Sequence, residues 1–503
     1  MIKFLTKKFN FKIISSNICT NFPQKSYING LWVTNEDGLT FDVINPATGE
    51  VISTVPDLSV KEIDSGIESA YKAFNNSSKS TASQRSHLLK QLNDSLLAHE
   101  DEISSLITLE NGKCLEEART EVKYAASFLN WFAEEPRRIM GYIMPSPKLD
   151  QKLMILQQPI GVVGMITPWN FPLAMVTRKL GAILAAGCAA IIKPAEDTPL
   201  SLLKFIEVSE SFIPPGMINV VTSSKLSCPS VGRAFCNDSR IKSITFTGSS
   251  EVGKILYAQS AETMKRLSFE LGGNAPFIVF ESADLNLAVK CALICKFRNS
   301  GQACISANRI LVHESIHDEF VKKLISETSK LKVGYGLEKD NNQGPLINQD
   351  AIRKVEQLIN RSVESGAQVK LGGKRAILEK YPKGNFFQPT VITDCSTDHP
   401  LFKNEIFGPV CAITKISDEK SAVRIANSLN TGLAGYLFSE DHRQIFRVSE
   451  ELQMGIIGVN EGAVSHCEAP FSGWKESGLG TESGIFGIDE YLVKKYICWG
   501  NLY

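Results

Sequence analysis

From about residue 160 the sequence alternates between short, continuously apolar runs and longer helical ones, a pattern few folds accept. "GVVGMIT" (161–167) reads as a strand, and "AMVTRKLGAILAAG" (174–187) as an apolar helix closing on Gly187. "CAAIIKPA" (188–195) is again strand-like, followed by the helical "SLLKFIEVSESF" (201–212) and the strand "INVVT" (218–222). "IKSITFTGS" (241–249) and "EVGKILYAQSAE" (251–262) repeat the unit. Strands that are apolar throughout and alternate with helices imply a parallel sheet covered on both faces. Ligands of such sheets bind beyond the carboxyl ends of the strands, where Thr167, Lys193 and Gly248 fall. A second α/β region begins near 276 with "PFIVF", a helical run to Asn299, "RILVH" and the helical "SIHDEFVKKLISETSKL". "KLMILQQPI" near 152 and "EYLVKKYICW" near 490 are extended segments outside the alternation, expected to pair with each other or with another subunit.

Composition narrows the partners. The chain has 503 residues, 43% apolar and 21% charged, as in globular proteins of two or three domains. Lys+Arg and Asp+Glu balance at 54 each, so no basic field favours nucleic acid or an anionic membrane. The longest uncharged stretch, between Lys152 and Arg178, contains Gln157, Gln158, Asn170 and prolines, which excludes a spanning helix. Twelve cysteines without a C-x-x-C pair predict reduced, mostly buried thiols, with Cys291 and Cys295 as core packing. The first residues carry Lys3, Lys7, Lys8, Lys12 and Lys25 before the first acid, Glu36. Ile2, Leu5, Phe9 and Ile13 share one helical face, which reads as an organelle transit peptide over 1–22, with a basic tail as the alternative.

Several motifs bear chemistry. "ITFTGSSEVGKI" (244–255) is nearly a P-loop, but Ile255 replaces the hydroxyl that would hold Mg²⁺. The stretch alone leaves open a hydrolytic site, another nucleotide cradle or a simple strand–helix turn. "HESIH" (313–317) matches a zinc signature only if both histidines share one helix. His313 instead closes a strand, and Ser315 is expected to cap the next helix. In "NSGQACISANR" (299–309), Cys304 follows a Gly301 turn that can free a backbone N–H as an oxyanion donor; a structural cysteine is the alternative. Glu270 ends a strand before Gly272-Gly273, as a general base or a turn residue.

Taken together, "TPWNFP" (167–172), "KPAEDTP" (193–199), "FTGS" (246–249), "FELGG" (269–273), "GQAC" (301–304) and "EIFGP" (405–409) resemble the aldehyde dehydrogenase superfamily in order and spacing. The resemblance implies an α/β fold: a modified Rossmann NAD-binding domain (23–135, 161–270 and 465–486), an α/β catalytic domain (271–464) and a β oligomerisation arm (136–160 and 487–503). It implies Cys304 as nucleophile, Glu270 as deacylating base, Asn170 and the Cys304 N–H as oxyanion donors, and no metal. The cofactor residues would be Thr167, Trp169, Lys193, Glu196, Gly248, Ser249, Gly253, Glu405 and Phe407. Glu196 at the ribose favours NAD over NADP.

Within the superfamily, "TRK" (177–179), "KFRNSGQAC" (296–304), "ELGGNAPFIVF" (270–280) and "VNEGAVSHCEAPF" (459–471) are most similar to succinate-semialdehyde dehydrogenases of GABA breakdown. That likeness implies that Arg178, Arg298 and Ser465 bind the distal carboxylate, each arginine having a structural ion pair as its alternative. It also implies a homotetramer in the mitochondrial matrix, or alternatively the cytoplasm. Ser306 stands where some relatives carry a second cysteine, so a local redox disulfide is not expected. The rival readings are another carboxylated aldehyde such as glutarate semialdehyde, a CoA-acylating relative (which the intact Glu270 disfavours), and a catalytically silent protein on the same fold.

Overall fold

The alternating segments build two sheets. A computed structural model describes residues 22, 24–77 and 80–502; the segment read as a transit peptide lies, up to residue 21, outside the described residues. The first sheet has eight strands with a parallel centre, in the order Ile218–Val220, Ala189–Lys193, Val162–Ile166, Ile241–Thr247, Arg266–Glu270. Antiparallel strands close its edges: Ser26–Ile28 and Leu31–Val33 on one side, Gly478–Leu479 on the other. Val162–Ile166 and Ala189–Lys193 are buried at every position, as continuous apolar runs require. The register sets Ile166 beside Lys193 and Thr247 beside Glu270, so the strands end together and their following residues share one edge.

The second sheet has seven strands, in the order Gln368–Leu371, Thr390–Thr393, Val410–Ile416, Ala307–His313, Ala275–Val279, Ala434–Phe438, Ile456–Val459. All its pairs are parallel except the first. Lys152–Pro159 pairs with Leu492–Trp499 and Tyr142–Met144, so the two extended segments meet each other.

Helix Leu115–Glu134 packs on Ala82–Ala98 and on Ala174–Ala186, and the latter lies against the first sheet at Ala189–Lys193. Its fit against Ala174–Ala186 is close: a Cβ on Gly181 would lie 2.8 Å from the Phe132 ring. Cys291 and Cys295 are buried in the second core.

Two local expectations change. Ser315 does not cap the helix His317–Thr328, whose first residues have no side-chain cap; its hydroxyl bonds His313 Nδ1 instead. The helical run after Asp284 ends at Phe297 rather than Asn299, because Arg298 leaves helical geometry at ψ 132°. Asn299, Ser300 and Gly301 then adopt successive left-handed conformations (φ 50°, 54° and 75°). The two that are not glycine, Asn299 and Ser300, cost about 1–3 kcal/mol each and persist only where the surroundings enforce them. At Gly301 a Cβ would meet the Gly408 carbonyl oxygen at 2.2 Å, so only glycine fits.

Candidate active site

A cavity of about 570 Å³ opens between the two sheets. Its wall contains Asn170, Trp169, Arg178, Gly248, Ser249, Arg298, Cys304, Glu405, Phe407 and Ser465. Thus the motifs read from distant parts of the sequence meet in one space. Thr167, Lys193, Glu196, Gly253 and Glu270 are not on that wall. Lys193 Nζ pairs with Glu196 at 3.0 Å, and the Thr167 N–H donates to the Lys193 carbonyl at 3.2 Å. Gly253 is a packing position, where a Cβ would meet Leu271 at 2.6 Å. Lys254, the lysine of the near P-loop, pairs with Glu476 on the surface.

Cys304 follows the left-handed turn. Burial pushes its thiol up to about 12, while Arg178 pulls the other way. The turn is held by several bonds. The Asn299 N–H donates to Glu117 at 2.7 Å, Ser300 Oγ to the Gly344 carbonyl at 2.7 Å, and the Ile347 N–H to Gln302 Oε1 at 2.9 Å. The Asn170 amide donates one hydrogen to the Gln302 carbonyl at 3.0 Å, and its second hydrogen has no acceptor among the described residues.

Glu270 is fully buried, and neither carboxyl oxygen has a hydrogen-bond partner among the described residues. Burial raises it well above the ordinary carboxylate range, and Glu482 adds to the shift against Arg178 and Lys179. Although burial opposes its charge, Glu482 stays low because Lys179 and Arg178 flank it. Arg178 Nε donates to Glu482 Oε2 at 2.6 Å, Lys179 bonds the other oxygen, and the Arg178 guanidinium sits 4.2 Å from the Phe471 ring centroid. Arg178 Nη2 has no partner among the described residues.

Arg298 differs. Its guanidinium has no hydrogen-bond or ion-pair partner among the described residues; it stands 5.5 Å from the Phe171 ring and within electrostatic reach of the buried Glu117. Ser465 Oγ bonds the Tyr124 hydroxyl. Sequence reasoning missed Glu482, Glu117, Phe171 and Tyr124. Glu482 has no local signal, since it lies 304 residues from Arg178.

The geometry suits a dinucleotide. Thr167 Oγ1 and Thr247 Oγ1 are buried hydroxyls without partners among the described residues, at the strand ends. Gly248 lies flush against Phe246, whose ring a Cβ would strike at 2.3 Å, so backbone approach there is open. Ser249 caps the following helix, and helix N-termini favour phosphate. Trp169 and Phe407 stand edge to face, 5.5 Å apart, on the same wall.

Residues 32–497 match the aldehyde dehydrogenase family. This chain belongs to that family. It is 48% identical over 476 residues to a mitochondrial succinate-semialdehyde dehydrogenase of Oryza sativa subsp. japonica, covering 94% of this chain and 89% of that one. Among solved structures, a succinate-semialdehyde dehydrogenase from Burkholderia pseudomallei is 43% identical, with TM-score 0.93 and coverage of 95% and 98%. An NADP-dependent enzyme of E. coli is 43% identical (TM-score 0.93; 96% and 99% covered). A Staphylococcus aureus betaine aldehyde dehydrogenase in complex with NAD+ is 34% identical (TM-score 0.95; 98% of each chain covered). The family's cofactor is therefore NAD(P), and its substrate class is the aldehydes.

Proposed function

We propose that this chain oxidises succinate semialdehyde to succinate with NAD, using Cys304 as nucleophile. The observation that carries the substrate choice is Arg298, an arginine without an ion-pair partner among the described residues in the same cavity as the thiol. Arginine binds carboxylates through paired, charge-assisted hydrogen bonds. Arg178 adds its free Nη2, and the Ser465 hydroxyl completes the set.

Cys304 loses its proton to solvent water in the open cavity, its thiolate Sγ bonds the aldehyde carbon, and the carbonyl π electrons pass to the oxygen, which becomes an oxyanion. Asn170 offers its second amide hydrogen and Cys304 its backbone N–H to that oxygen. One such donor contributes about 3–4 kcal/mol to transition-state stabilisation. Gly248, Ser249, Trp169, Glu405 and Phe407 would hold the dinucleotide, with Thr167, Gly253, Lys193 and Glu196 supporting its phosphate and ribose ends. When bound, it supplies the hydride acceptor that leaves a thioester on Cys304.

Glu270 then takes a proton from water as that water attacks the thioester. The carbon–sulfur bond breaks, the thiolate departs and the acid is released. A carboxyl raised by burial is a stronger base once ionised than an exposed one. Glu270 must turn from its buried position to reach that water.

The negative charge of Glu196 favours NAD over a 2′-phosphorylated cofactor. The name of the rice relative supports a mitochondrial location. The exposed apolar face of the three-stranded sheet, with Tyr142, Met144 and Tyr496, supports a homotetramer built through 136–160 and 487–503. The test is steady-state turnover of an aldehyde panel with NAD and NADP. Succinate semialdehyde with NAD should give the highest kcat/KM, and preference for an uncharged aldehyde would overturn the reading.

A further inference from the structure

Asn170 is held by groups outside the reaction. Lys113 and Glu121, which also line the cavity, form an ion pair at 2.5 Å with both side chains fully buried, beside the loop that carries Asn170. Each has a second bond. Lys113 Nζ donates to the Asn170 carbonyl at 2.8 Å. Glu121 Oε1 accepts the N–H groups of Leu173 and Ala174 at 3.0 and 3.3 Å, where the helix carrying Arg178 begins. Leu173 has no side-chain cap of its own, so Glu121 supplies the acceptor that the first helical turn lacks. Asn299 Nδ2 donates to the same Asn170 carbonyl at 2.8 Å and so joins the cysteine turn to the loop.

A buried ion pair is not in general a source of stability. Replacing both partners with neutral residues of similar size is often neutral or stabilising. The additional bonds of this pair all go to one short segment, residues 170 to 174, gripping a carbonyl at one end and two N–H groups at the other.

We infer that the Lys113–Glu121 pair is a positioning device that sets the Asn170 amide relative to Cys304 and fixes the start of the Arg178 helix. The inference rests on the proposed oxyanion role of Asn170. Lys113 and Glu121 act through Asn170 and are not assigned catalytic chemistry. Displacement of a reacting group by about 1 Å can cost on the order of 10²-fold in rate.

The experiment compares full-length wild type with Lys113→Met/Glu121→Gln, Asn170→Ala and the triple variant. The double variant removes both charges and keeps the side-chain lengths, so its melting temperature should not fall. Its kcat should drop about 10- to 100-fold, with KM for the aldehyde and Kd for NAD within about threefold. In the Asn170→Ala background the same two substitutions should change kcat by less than about threefold, because the positioned group is already absent.

Wild-type kcat in the double variant, or equal losses in both backgrounds, overturns the positioning role alone. Wild-type kcat in Asn170→Ala overturns the oxyanion reading, and the positioning role with it. Should the double variant not fold, Glu121→Gln alone keeps the acceptor for Leu173 and loosens Lys113. It should lose about three- to tenfold in kcat, and no loss there also overturns the inference.

Discussion

Arg178 and Arg298 face one cavity, yet their surroundings are opposite in kind. Arg178 rises from a buried helix into a network with Glu482, Lys179 and Glu270, its Nε bound to Glu482 and its Nη2 without a partner among the described residues. Arg298 stands at the start of an irregular turn, near an aromatic ring, with its guanidinium unbonded among the described residues. A charge taken fully out of water must be neutralised by the protein itself, which Glu482 does for Arg178. A partly exposed charge at the cavity edge can wait for a ligand. On the proposed function, the difference implies unequal tasks: Arg178 mainly shapes the field around Cys304 and Glu270 and adds one donor to the substrate carboxylate, while Arg298 is the main discriminator among substrates.

The largest expected effect breaks the locked side at its reactive member. Glu270→Gln should lower steady turnover by roughly 10²–10⁴ and spare a first-turnover burst of NADH, seen in stopped flow. Loss of the burst would assign Glu270 to an earlier step. Next comes the support of that side. Arg178→Ala leaves Glu482 with Lys179 alone and should destabilise the fold by about 3–5 kcal/mol, measured by denaturant unfolding. Its activity should fall on every aldehyde, carboxylated or not. A stable Arg178→Ala that loses only carboxylated substrates would erase the contrast with Arg298.

The thiol that shares the cavity with the two arginines offers a finer probe. With Cys304 pushed up to about 12, its thiolate fraction increases with pH throughout the neutral range. Alkylation at Cys304, followed on its peptide by mass spectrometry in cofactor-free protein, should therefore accelerate about tenfold per pH unit between pH 7 and 9. Arg178→Ala should slow it at every pH, because the positive charge favouring the thiolate is gone. A plateau below pH 8 in the wild type would show that the thiol is not raised. The smallest effect lies furthest from both arginines: Glu196→Ser should narrow the NAD over NADP preference, read as a ratio of kcat/KM values.

The contrast also shows what a sequence carries. The parallel sheets were legible because Val162–Ile166 and Ala189–Lys193 are apolar at every position, which a half-exposed strand would not be. Cys304 and Gly301 stood out because a tight turn leaves a glycine beside the residue it presents. Both arginines were legible as candidates, but their difference was not. It depends on Glu482, brought to Arg178 by the strand Gly478–Leu479 joining the first sheet at its edge. Nothing near "GTESG" announces that contact. The left-handed Asn299 and Ser300 were missed for a related reason: neither residue type demands that conformation, and bonds to Glu117 and Gly344 impose it from elsewhere in the chain.

The account stands most directly on Arg298→Ala, measured as kcat/KM for succinate semialdehyde and for butyraldehyde, which has the same chain length without the carboxylate. A charge-assisted hydrogen bond contributes about 1.5–3 kcal/mol, or roughly 10- to 150-fold in catalytic efficiency. Succinate semialdehyde should lose that factor, and butyraldehyde should be unchanged or improved. Equal losses on both aldehydes would contradict the account, making Arg298 a structural residue and leaving the chain an aldehyde dehydrogenase whose substrate is read elsewhere.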